Sequence, residues 1–202
     1  MPTRRALLYA LALPALPATG LAASLGGPAP DFALPDVQGG TRRLSDFRGR
    51  HVVLEWTNPG CPFVQKHYRS GNMQTLQREA AARQVVWLTI NSTEPGHADY
   101  LKPAELQRWM AQQQAAATAV LLDESGQTGK AYGARVTPHM YLIDPQGRLI
   151  YAGGIDSIPS ARVDDIAQAT NYVRLALTEA LAGRHLSRPS TAPYGCSIKY
   201  AS

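Results

Sequence analysis

Cysteine is scarce in this chain. Only Cys61 and Cys196 occur among 202 residues, and position 64, where a Cys-x-x-Cys pair would need its second thiol, holds Val64. No Cys/His spacing suggests a zinc centre. His97 and His139 beside Cys61 make only a weak metal set. Charged residues are few, at 17%. No Lys/Arg run interleaved with aromatics is present, so nucleic acid is not implied as a partner. Gly126, Gly129 and Gly133 follow helix logic and do not form a phosphate loop, so no nucleotide is expected. Long apolar runs are missing too. The stretch from Ala6 to Leu16 is short for a membrane-spanning helix, and Pro14 and Pro17 break it further.

What is present reads as a globular chain, 45% hydrophobic with a formal charge of +5. Arg4 and Arg5 belong to a segment with a basic start, an apolar stretch and a small-residue exit. This is the pattern of a secretory signal over residues 1–23, with a twin-arginine cast. Export to the periplasm or outside the cell is therefore expected, with no stable membrane insertion once the leader is cleaved. An oxidising compartment permits disulfides, so a Cys61–Cys196 bridge is open from the count alone.

Along the rest, Asp31–Pro35 and Thr41–Leu44 flank a turn and predict an N-terminal hairpin. His51–Thr57 and Val85–Ile90 read as buried strands. A helix from Pro62 to about Arg83, kinked at Ser70-Gly71-Asn72, lies between them. Pro103–Gln114 and Ser125–Tyr132 predict helices, and Ala119–Leu122 a short strand. His139–Asp144 and Arg148–Ala152 predict a hairpin, and Val163–Leu181 a closing amphipathic helix. The order gives an α/β fold with a mixed central sheet flanked by helices. The expected domain covers 28–183, followed by an irregular tail, 184–202, that carries Cys196.

Cys61 follows a strand and opens a helix in Asn58-Pro59-Gly60-Cys61-Pro62-Phe63-Val64. A thiol at a helix start meets unpaired backbone N–H groups and the positive end of the macrodipole. Both favour thiolate, which is the nucleophile. Pro62 costs nothing at the first helical position. The bland alternative is an inert buried cysteine.

Several further stretches accompany this one in order. They are Ala29–Asp36, Leu44–Gly49, Ala131–Ala134, Val136-Thr137-Pro138 and Gly195-Cys196-Ser197-Ile198-Lys199-Tyr200. Together they resemble the redoxin branch of the thioredoxin superfamily, the AhpC/TSA peroxiredoxin-like proteins, in a subgroup ending Gly-Cys-x-Ile-Lys-aromatic. The resemblance implies a thioredoxin-like fold and thiol oxidoreductase activity without organic cofactor or metal. It implies Cys61 as nucleophile and Thr137-Pro138 as a cis step shaping the substrate edge. With no thiol at position 64, Cys196 is the expected substitute for the resolving thiol. Hydroperoxides or protein disulfides are the implied substrates, with a thiol protein as reductant. Two positions depart from the peroxiredoxin pattern: Asn58 stands where threonine is usual and Leu54 where proline is usual, which favours disulfide exchange.

The competing reading is a non-enzymatic peptide-binding module in which a permanent Cys61–Cys196 bridge staples the tail. Such a long loop closure is worth about 4–5 kcal/mol in the chain-entropy model. Glu55 is a possible proton acceptor if burial raises its pKa, or else a charge on a solvated strand face. Lys66 and His67, about one and a half turns past Cys61, are expected on the surface.

Overall fold

The computed structural model describes residues 22–201, so all but the last two positions of the expected leader lie outside the described residues. Nine strands and five helices occur among them. β1 (Ala33–Pro35) and β2 (Thr41–Arg43) form the expected hairpin. Its turn is set by Asp36, whose carboxylate accepts from the Gln38 and Gly40 amides and pairs with Arg42.

The main sheet runs β5-β4-β3-β7-β8, formed by β3 (Val52–Trp56), β4 (Val86–Asn91), β5 (Ala119–Leu122), β7 (His139–Ile143) and β8 (Leu149–Gly153). The first three of these strands in chain order are parallel, while β7 is antiparallel to both β3 and β8. β3, β4 and β7 are buried along their full length, as strands covered on both faces must be.

Alternation of side chains splits the core in two. Val53, Trp87, Met140 and Leu142 meet α1 (Pro62–Arg69), α2 (Asn72–Ala82), α3 (Pro103–Gln112) and α5 (Tyr172–Leu181) through Val64, Tyr68, Leu76, Leu106, Val173 and Leu177. On the other face Leu54, Trp56, Leu88 and Tyr141 meet the hairpin and α4 (Gln127–Tyr132) through Leu34, Leu44 and Tyr132. Gly71, with φ 74°, separates α1 from α2 at the expected kink.

Two expectations change. Val163–Leu181 is not one helix but a 3-10 turn, Val163–Ala167, followed by α5. Asn171 restarts the chain by accepting the Arg174 amide at 2.9 Å. Thr170 is held by two hydrogen bonds with Ser157, through its amide and its carbonyl. Local side-chain and backbone partners therefore outweigh the amphipathic pattern here.

The tail is also not irregular throughout. Cys196–Ser197 form β9, antiparallel to β6 (Val136–Thr137), with Thr137 opposite Cys196.

Both outer edges of the main sheet are covered. Val37 donates to the Val120 carbonyl beside β5. At β8, Gly26 and Gly27 exchange hydrogen bonds with Leu149, while Ala152 bonds Pro189 and Thr191.

Candidate active site

β3 delivers the chain to the site, and Asn58 turns it. The Asn58 side-chain oxygen accepts the Gly60 amide at 2.7 Å and its carbonyl accepts the Cys61 amide at 3.0 Å, while its amide group donates to Thr93. An asparagine closes such a turn with its own side chain, a role not visible in sequence. Cys61 is the N-cap of α1, with Pro62 in the first turn. The cysteine is 2% exposed, and its thiol donates to the Thr137 carbonyl at 3.1 Å. The Thr137-Pro138 peptide is cis.

The tail closes over this corner. Because Cys196 pairs with Thr137, the second thiol stands beside the residue whose carbonyl takes the first. Gly195, at φ 144°, passes so close to the Thr137 carbonyl that a β-carbon would overlap it. Burial first, then Cys61 beside it, push the Cys196 thiol up to about 12. Ile198 donates to Arg135, and Lys199 accepts from Glu94. The Tyr200 hydroxyl reaches the Ala134 carbonyl at 2.8 Å, its ring lying where side chains at Gly126 and Gly129 would be. Cys61, Cys196, Thr137 and Pro138 are thus brought together. Both cysteines are free thiols.

Lys66 and His67 are not on the surface. They are 1% and 0% exposed. Lys66 Nζ meets Asp156 at 3.2 Å, the Ile158 carbonyl at 3.1 Å and the Tyr194 hydroxyl at 3.3 Å. His67 Nε2 also meets that hydroxyl, at 3.2 Å, and burial drives its pKa down to about 4, which leaves the ring neutral. Sequence reasoning missed this cluster because Asp156 and Tyr194 lie 90 and 128 positions from Lys66.

His139 is buried against Tyr141, while His97 pairs with Asp99 in the loop after β4. Among the described residues no group of three or more His, Cys, Asp or Glu is placed to hold a metal ion.

Glu55 is fully buried, not on a solvated face. Its carboxylate accepts from Trp87 at 2.8 Å, Tyr68 at 2.9 Å, Thr89 at 3.0 Å and Gln77 at 3.3 Å. None of these donors is a thiol. Burial raises its pKa above the ordinary carboxylate value, against the pull of the four donors. A carboxylate raised on folding holds its proton more tightly in the native state. Its contribution is therefore fully present below the unfolded value of 4.5 and declines as pH climbs toward the folded value. Glu55→Gln is expected to be destabilised by about 1–3 kcal/mol at low pH, since an amide nitrogen then faces donors. The gap to the parent should narrow as pH rises above 4.5. Urea midpoints across a pH series check this, and a widening gap would contradict the raised pKa.

A sheet of this order, with a cysteine opening the first helix against a cis Thr-Pro step, is the arrangement of thioredoxin-like proteins. The chain is a thiol-dependent oxidoreductase of that class. It belongs to the AhpC/TSA family, which matches residues 25–152. That span includes Cys61 and Pro138 and leaves Cys196 outside.

Among curated relatives, the thiol-disulfide oxidoreductase ResA of Bacillus thuringiensis is 25% identical over 126 residues, 62% of this chain and 67% of the relative. A solved structure of an uncharacterised conserved protein from Geobacillus kaustophilus superposes with TM-score 0.74 at 27% identity. It covers 88% of this chain and 93% of the other. The thioredoxin domain of a thiol-disulfide oxidoreductase from Bacteroides vulgatus shares the fold, with TM-score 0.52 at 17% identity over 72% and 96% of the two chains.

Proposed function

We propose that this protein is an exported disulfide exchanger in which Cys61 is the nucleophile and Cys196 the resolving thiol. The observation that carries the reading is the pairing of Thr137 with Cys196, because the same Thr137 also accepts the Cys61 thiol. Cys61 thiolate attacks one sulfur of a substrate disulfide, and the other leaves as a thiolate. Cys196, having lost its proton, attacks the Cys61 sulfur, closes the Cys61–Cys196 bridge and frees the second substrate thiol. A partner thiol protein returns two electrons and reopens the bridge.

Proteins carrying a disulfide are the substrates favoured here, in line with the name of the ResA relatives. Peroxide reduction is less well supported. Leu54 packs on the opposite face of the sheet from Cys61, and the side chain of Asn58 is committed to its turn and to Thr93.

The test uses the mature protein, reduced and freed of reductant. Equimolar oxidised glutathione is expected to close the Cys61–Cys196 bridge within minutes, read by mass spectrometry, while equimolar hydrogen peroxide closes it more slowly. Faster closure with peroxide would make the protein a peroxidase. No bridge with either oxidant would overturn the thiol cycle and leave a binding module.

A further inference from the structure

Tyr194 sits two positions before Cys196, with its hydroxyl in a closed polar socket. The hydroxyl donates to Asp156, is met by Lys66 Nζ at 3.3 Å and faces His67 Nε2 at 3.2 Å. Asp156 and Lys66 form an ion pair whose side chains are 2% and 0% exposed. The Tyr194 ring stands edge-on to Phe63, two residues past Cys61, at 5.8 Å between centroids, and Lys66 Nζ lies 5.5 Å from its centre. The socket is built on α1, the helix that Cys61 opens, and on the loop after β8. The tail is thereby fixed to the same rigid element as the nucleophile. A hydroxyl held by buried charged groups is a strong attachment point.

Resting on the two-thiol reading, we infer that Tyr194 is the positioning residue of the thiol pair. It holds β9 on the β6 edge, which keeps Cys196 at Cys61 and closes that edge to an extended peptide. Strand addition at an exposed edge is how a peptide would pair there, so a disulfide-bearing peptide and β9 compete for one place. Loss of the anchor has two opposite consequences. The buried Cys61 is uncovered more often, since its exposure then follows the population with the strand lifted. Cys196 is also less often in place to attack.

The experiment uses reduced full-length protein and the small disulfide dithiobis-nitrobenzoate, whose released thiolate absorbs visible light. Attack by Cys61 breaks the reagent's disulfide, releases one nitrothiobenzoate and leaves the other bound to Cys61. Attack by Cys196, its proton lost to solvent, releases the second and closes the bridge. Two protein sulfurs are oxidised and one reagent disulfide is reduced.

Tyr194→Phe keeps the ring against Phe63 and removes only the hydroxyl, whose loss from charged partners is worth about tenfold in a population. In a Cys196→Ser background it should raise Cys61 labelling about tenfold. With Cys196 intact it should slow the second release relative to the first, so that singly labelled protein accumulates. Tyr194→Ala should exaggerate both effects.

General loosening of the fold would speed labelling without slowing the second release, and that pattern would overturn the inference. So would unchanged rates in both variants. If the parent releases only one equivalent, the resolving role of Cys196 fails. The labelling comparison at Cys61 then still decides whether Tyr194 holds the strand down.

Discussion

Cys61→Ser is expected to lose disulfide exchange by on the order of a thousandfold or more, because a serine hydroxyl does not ionise near neutral pH and the thiolate is the nucleophile. The fold should survive the change. The residue is an N-cap, where serine is well suited, and a hydroxyl can donate to the Thr137 carbonyl as the thiol does. Cys196→Ser is expected to behave differently. Its first attack proceeds, and a mixed disulfide then accumulates on Cys61 for want of a resolving thiol. Reduction of a model protein disulfide, with mass spectrometry of the trapped intermediate, separates the two variants. Activity above about a tenth of the parent's in Cys61→Ser would remove Cys61 from the nucleophile's role.

The second large effect concerns stability. Lys66→Met is expected to cost about 3–5 kcal/mol, because removing one member of a buried ion pair leaves the other charge uncompensated. Asp156 would be that charge. It is 3% exposed and retains the Tyr194 hydroxyl and the Ile158 amide as hydrogen-bond partners. Methionine fills much of the space of the lysine stem, so the lost volume is small. In an Asp156→Asn background the same Lys66→Met change should cost far less. Urea unfolding of the two single variants and the double variant measures the coupling. A cost below about 1 kcal/mol for Lys66→Met would place the pair in the energetic class of exposed ones.

Legibility from sequence divides along the distance between partners. β3 and β4 read correctly because both are mostly β-branched and apolar, broken only by Glu55 in the one and by the closing Asn91 in the other, as suits strands buried on both faces. The break between α1 and α2 was visible in Ser70-Gly71-Asn72, since glycine accepts the left-handed conformation found at Gly71. Cys61 at a helix start was visible from the proline behind it and the strand ahead of it.

Lys66 and His67 were misplaced because their burial depends on Asp156 and Tyr194, and no local pattern marks a lysine whose counterion lies 90 positions along the chain. β9 was invisible for a related reason. Two residues carry no period, and they are placed by contacts that the flanking tail makes with distant parts of the chain, among them Gly195 against the Thr137 carbonyl, Tyr194 in its socket and Tyr200 over Gly126 and Gly129. Glu55 was half legible: a carboxylate in a buried strand signals something unusual, but its four donors come from α1, α2 and β4.

The segments that cover the sheet edges also act between molecules. An uncovered strand edge offers its free amides and carbonyls to any other chain with an edge to match, which is the first step of ordered aggregation. Here β5 is screened by the stretch after β1, β8 by the residues before β1 and by the tail, and β6 by β9. The tail therefore seals two edges while it carries a thiol. A chain shortened at residue 184 would lose the β6 seal and the Ala152 end of the β8 seal together, while Gly26 and Gly27 still cover Leu149. Its failure would show as poor solubility as much as lost chemistry, and a harmless-looking truncation would give a protein that sticks to itself.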